Sequence, residues 1–171
     1  MSGPLRMSFD VACPVEHAFS VWTAGIGTWW PPDHTVTGQA GLVIVLESGV
    51  GGRIYERTPD GAEHDWGEVT QWKPPTQLAY LWHLGREPAE ATEVEIRFLP
   101  RGAGATRIEI EHRGWERLGP SAGPWRDRNR MSTSPASAWS RPRCHEYVTR
   151  VGGSQILTSP QSCSTPFGAR S

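Results

Sequence analysis

Near the middle of the chain, TEVEIRFLP and TRIEIEHRG alternate apolar and charged residues without a break. Val94, Ile96 and Phe98, then Ile108 and Ile110, fall on one side, against Glu93, Glu95, Arg97, Glu109 and Glu111 on the other. A period of two excludes a helix here and predicts antiparallel strands with one face buried and the other in water. Comparable runs precede them. LVIVLE is closed by SGVGG, RIYER and EHDWGEVTQW flank TPDGA, and KPPTQ separates these from LAYLWHL. From Gly41 to Arg113 the chain therefore reads as a six-stranded antiparallel meander.

The flanks differ. Leu5 to Ala12 fits one more strand, ended by Cys13 and Pro14, and VEHAFSVWT places Val15, Ala18, Phe19 and Trp22 at helical spacing. AGIGTWW predicts a second short helix, which Pro31 and Pro32 must stop. After Gly114, WERLG and GPWRDRNR read as the approach to a C-terminal helix. From Met131 the pattern collapses into a Ser- and Pro-rich stretch with one acidic residue, Glu146, too poor in apolar residues to order itself. The expected organisation is a domain over 1–130 and a tail over 131–171, with the last helix disrupted after Arg130. A reading-frame change would account for the break: 16 Arg against the single Lys73 suggest GC-rich coding, whose other frames supply Arg, Ser and Pro. A shortened helix is expected to leave Val94, Ile96, Phe98, Ile108 and Ile110 partly wet.

Charge narrows the partners. A formal net charge of −1 over 171 residues argues against nucleic acid or an anionic membrane. No stretch approaches the roughly 18 apolar residues of a membrane span, and MSGPLRMSFDVAC is not a signal peptide, so a cytoplasmic location is expected. Met1 and Met7 are both possible starts. Cys13, Cys144 and Cys163 are scattered, which supports neither disulfides nor a zinc knuckle. The six histidines show no ligand spacing, and no nucleophile motif occurs, so neither metal nor other cofactor is expected.

Two constellations remain. If Pro59, Asp60 and Gly61 form a three-residue loop, Thr58 pairs with Ala62, Glu56 stands opposite His64 and Ile54 opposite Trp66. That register turns Glu56, His64 and Glu68 inward among apolar neighbours, where carboxylates are costly unless paired; a two-residue loop would pair Glu56 with Asp65 instead. The other constellation is aromatic. Leu78, Tyr80 and Trp82 alternate on one face, with Trp66 alongside, and GTWWPPDH supplies Trp29 and Trp30 at a helix exit. Trp29 is expected to face the core, Trp30 an opening, and His34 the solvent.

Several words carry a family resemblance: ACPVEHAFSVWT, GVGGRIYER followed by DG, WGEVTQWKPPTQLAYLW, and EVEIRFLP with GATRIEIEHRGWERLG. Together they resemble the START-like (SRPBCC) superfamily, and within it bacterial proteins similar to the C-terminal domain of activators of the heat-shock protein 90 ATPase. The resemblance implies an α+β helix-grip fold, in which a curved antiparallel sheet grips a long final helix over a cavity. It also implies that the cavity binds the ligand, which makes Trp30, Ile54, Glu56, Trp66, Tyr80, Trp82 and Phe98 the expected lining. The leading expectation is a binder of a hydrophobic or amphipathic small molecule without covalent chemistry. The alternatives are a cyclase, dehydratase or hydrolase using Glu56 and His64 as acid and base, and an interaction module stimulating a chaperone ATPase. A homodimer stays open.

Overall fold

The computed structural model of the protein describes residues 3–132. Seven strands form one antiparallel sheet: β1 (Leu5–Val11), β2 (Val43–Leu46), β3 (Arg53–Arg57), β4 (Glu63–Lys73), β5 (Gln77–Trp82), β6 (Thr92–Pro100) and β7 (Thr106–Arg113). Their order is β1-β7-β6-β5-β4-β3-β2, so the six-stranded meander is present and β1 closes on its last strand. Helices α1 (Val15–Trp22) and α2 (Ile26–Trp29) connect β1 to β2, and α3 (Ala122–Ser132) follows a 3-10 segment at Trp115–Ser121. This is the α+β helix-grip fold with a short C-terminal helix.

Alternation decides which face is buried. Val94, Ile96, Phe98, Ile108 and Ile110 are all 3 % exposed or less, whereas Arg97 is exposed and Glu93, Glu95, Glu109 and Glu111 are only partly covered. The expectation that a short final helix leaves this face wet does not hold. Helix α1 lies on it: Phe19 meets Phe98 edge-on at 5.3 Å and Trp72 at 5.2 Å, and Trp22 meets Phe98 at 6.2 Å. Burying a tryptophan such as Trp22 removes on the order of 200 Å² from water, roughly 4 to 6 kcal/mol. A smaller cluster of Leu5, Trp115 and Leu118, with Met7, Ala122 and Trp125 against it, seats the start of α3. That helix runs across the boundary expected after Arg130, and the rest of the 131–171 tail lies outside the described residues.

The longest strand, β4, is also the irregular one. Register shifts occur between Ile54 and Tyr55 in its pairing with β3, and between Val69 and Gln71 in its pairing with β5. Bulges of this kind bend a strand and increase its twist, which curls the sheet around what it grips. Gly67 sits at the first of them, and a Cβ there would lie 2.0 Å from the Leu81 carbonyl oxygen. Only glycine lets the two backbones approach so closely. The turn before β4 is the predicted three-residue loop: Thr58 N–H donates to Ala62 O at 2.9 Å, and Gly61 has a φ of 92°, in the left-handed region.

Candidate functional site

The inward face of β4 and β5 gathers the aromatic residues. Trp66 and Trp82 meet edge-on at 5.7 Å, and Tyr80 lies 5.7 Å from Trp82. All three are buried, with exposures of 0, 4 and 5 %. Above them, Trp30 is half-buried, its ring 5.3 Å from Trp66 and 5.4 Å from Trp82. The two tryptophans of GTWWPPDH do face different neighbours. Trp29 packs on Trp22 at 4.9 Å and donates its indole N–H to Val21 O, whereas Trp30 covers the Trp66–Trp82 pair and donates to His34 O at 2.7 Å. The reason is local. Trp30 ends α2 with an extended backbone (φ −62°, ψ 134°), as a residue before proline must, and its side chain leaves the helix axis.

Four aromatic rings thus form a box whose only half-exposed member is Trp30. Phe98, also expected in the lining, lies beneath Phe19 and Trp22, and Ile54 is fully buried. Burial pushes the ionisation of Tyr80 up, partly opposed by the Trp22 side chain. The phenol therefore stays protonated and has an O–H to give.

Glu56 stands opposite His64, as the three-residue loop predicts. Ile54, however, faces Gly67 rather than Trp66, because the bulge inserts a residue into β4. The same insertion corrects Glu68, which was expected to point inward and is exposed. Glu56 itself is fully buried, and its carboxylate is occupied: Val36 N–H donates to Oε2 at 2.7 Å, Thr37 N–H to Oε1 at 2.9 Å, and the Trp66 indole to Oε2 at 3.1 Å. It fastens the segment after Pro32 to the sheet beside the box. His34 is largely covered, its side chain 15 % exposed, and bonds Asp33 rather than facing open water.

One inward residue escaped the sequence reading. His112 is 1 % exposed, its ring tilted against Trp115 at 4.1 Å, with Nε2 2.7 Å from Thr92 Oγ1. Desolvation pushes its pKa down to about 3. The signal was present, since the period that buries Ile108 and Ile110 also turns His112 inward. Among the described residues, no three His, Cys, Asp or Glu side chains cluster to hold a metal ion, and no helix is long and apolar enough to cross a membrane. Two surface depressions lie away from the box, one of about 430 Å³ on the outer face near Arg6 and Glu109, the other of about 510 Å³ beside Arg86 and Trp125.

The family model for activator of Hsp90 ATPase homolog 1-like proteins matches residues 12–124. The chain belongs to this family. It lies within the START-like SRPBCC superfamily, as ACPVEHAFSVWT and WGEVTQWKPPTQLAYLW had implied. Among solved structures, a complex of the anthrahydroquino-gamma-pyrone synthase Txn09 is 38 % identical, covering 75 % of this chain and 86 % of that one, with a TM-score of 0.55. The self-sacrificing resistance protein CalC from Micromonospora echinospora is 25 % identical over 80 % of this chain and 87 % of its own, also at 0.55. Protein CV1439 from Chromobacterium violaceum, 16 % identical over 82 % of this chain and 99 % of its own at 0.51, shares the fold. No curated protein matches the chain.

Proposed function

We propose that this protein is a cavity binder of a flat, largely apolar aromatic molecule, held among Trp30, Trp66, Tyr80 and Trp82 without covalent chemistry. The observation that carries this reading is the position of Trp30, half-exposed over two buried indoles. A ligand reaches Trp66 and Trp82 by displacing that one ring, and a planar ligand regains on their faces the stacking it interrupts. Glu56 and the backbone of Val36 and Thr37 hold the next segment in place, so Trp30 can swing while the loop stays anchored. Similarity to a synthase of an anthrahydroquinone-derived ring system supports a polycyclic, oxygenated ligand.

Titration with anthraquinone, read by quenching of tryptophan fluorescence, tests this. Trp30→Ala is expected to weaken binding about tenfold, the scale of one lost aromatic stack. Unchanged affinity removes Trp30 from the site, and no quenching of the wild type removes the box.

A second reading, ring closure by an enzyme of the same fold, is favoured by the 38 % identity to the synthase. The geometry supports Glu56 as a fastener rather than an acid or base for it, because both its oxygens already accept hydrogen bonds. Incubation with an uncyclised aromatic precursor and mass analysis of the product separates turnover from binding.

A further inference from the structure

The sequence places His112 at the end of the inward series Thr106, Ile108, Ile110, His112 on β7. Its tautomer follows from its neighbours. Thr92 Oγ1 lies 3.1 Å from Trp82 O and 2.7 Å from His112 Nε2. A carbonyl only accepts, so the single hydroxyl proton of Thr92 goes to Trp82 O, and Thr92 must accept from His112 Nε2–H. Nδ1 is then a bare acceptor. It is buried and has no hydrogen-bond partner.

An unmet acceptor in a protein interior costs about 1 to 3 kcal/mol, so folded chains seldom retain one without a reason. The imidazole is also held neutral by burial. A neutral acceptor repels a carboxylate and welcomes an O–H or N–H donor.

Register gives the complementary end. Across the inward face, His112 pairs with Val94 and Val94 with Tyr80, so His112 and Tyr80 stand two strands apart, about 10 Å. Tyr80 retains a proton to donate, and Thr92 ties His112 to the backbone of Trp82, whose ring is part of the box. An acceptor and a donor therefore bracket the apolar Val94 on the face that carries the aromatic rings.

We propose that His112 Nδ1 accepts a hydrogen bond from a hydroxyl of the bound molecule, and that the ligand class is a phenolic polycycle of the hydroxyquinone type rather than a carboxylic acid. This rests on the reading of the aromatic box as the binding place. The ligand's hydroxyl edge lies toward His112 and a carbonyl edge toward Tyr80.

The test compares a monohydroxyanthraquinone with its methyl ether, the oxygen on the outer β carbon so that it cannot bond the quinone carbonyl. Mildly acidic buffer keeps the phenol protonated. Wild-type protein is expected to prefer the phenol about tenfold, the scale of one buried hydrogen bond. His112→Phe is expected to bind both probes alike, near the affinity of the ether. Equal binding of the two probes by the wild type, or a preference that survives in His112→Phe, overturns this assignment while leaving the box standing. Binding of neither probe overturns both. Nitrogen NMR of histidine-labelled wild type keeps the test open should His112→Phe fail to fold. The Nδ1 resonance of His112 is expected to move with the phenol and not with the ether; an unmoved resonance, as when Nδ1 bonds only a structural water, overturns the assignment.

Discussion

The pairings that join β5, β6, β7 and β1 run residue against residue without interruption, whereas β4 shifts register against both of its neighbours. The regular half separates its chemistry by face, apolar inside and Arg–Glu ion pairs outside. The bulged half does not: it buries the Glu56 carboxylate on β3, exposes Glu68 on β4, and brings indoles from two strands and a helix end into one cluster. Regularity produces the platform, and the departures from it gather the aromatic cluster around Trp66. A substitution in the bulged half should therefore cost more, and alter function more, than one on the outer surface of the regular half.

The largest effect is expected at Gly67. A methyl group there meets the Leu81 carbonyl oxygen at 2.0 Å, a contact with backbone that no rotamer relieves. Gly67→Ala should destabilise the fold by about 3 kcal/mol or more, read as a lower urea midpoint. A midpoint equal to wild type would show that the close approach of β4 to β5 at Gly67 is loose, and the contrast between the halves would fail.

Glu56 comes next. In Glu56→Gln, the NH₂ group must replace one of the two oxygens that now accept from Val36 N–H and Thr37 N–H, which places donor against donor. A loss of about 2 kcal/mol is expected, with amide exchange at Val36 and Thr37 accelerated more than in β7. Uniform acceleration would mean that Glu56 supports the fold as a whole and does not fasten one segment.

These two positions also explain what could be read from sequence. The platform was legible because a period of two survives wherever pairing is unbroken, and TPDGA fixed the turn that sets Glu56 against His64. The bulges were not legible, since one inserted residue shifts every later side chain by a face, and Glu68 was misplaced for that reason. Nor could the partners of Glu56 be foreseen. They are backbone N–H groups of Val36 and Thr37, about twenty residues away, and backbone donors carry no sequence signature. His112 is legible by strand face and not by spacing: it shares no metal-ligand pattern with the other histidines, but it is in phase with the buried Ile108 and Ile110.

His112 belongs to the regular half and tests whether that half is inert. Its folded pKa is about 3 against an ordinary 6.5, so between these values the unfolded chain binds the extra proton. Stability must then fall as pH drops below about 6.5, by roughly 1 kcal/mol per pH unit, until the folded state also protonates near pH 3. Glu93 and Glu111 have lowered pKa values and add to acid sensitivity only nearer the carboxylate range, which leaves the interval above pH 5 or so to His112. The stability of wild type should fall relative to that of His112→Phe as pH goes from 6.5 toward 5. Parallel curves would mean that water reaches the imidazole.

The smallest effect is expected on the outer surface. Arg6 donates from Nε to Glu111 Oε2 at 2.8 Å, with Arg6 71 % exposed, and this hydrogen bond is the main reason the Glu111 carboxyl titrates below its usual range. In high dielectric such a pair offsets little more than the entropy of holding two long side chains together. Arg6→Ala should change unfolding free energy by less than about 0.5 kcal/mol. It should still move the Glu111 titration upward in an NMR pH series, which separates a local electrostatic bond from a contribution to the fold. A stability loss comparable to that of Glu56→Gln would show that the ion pairs across β1, β7 and β6 act as one network, and the outer face would then share in holding the curvature that β4 introduces.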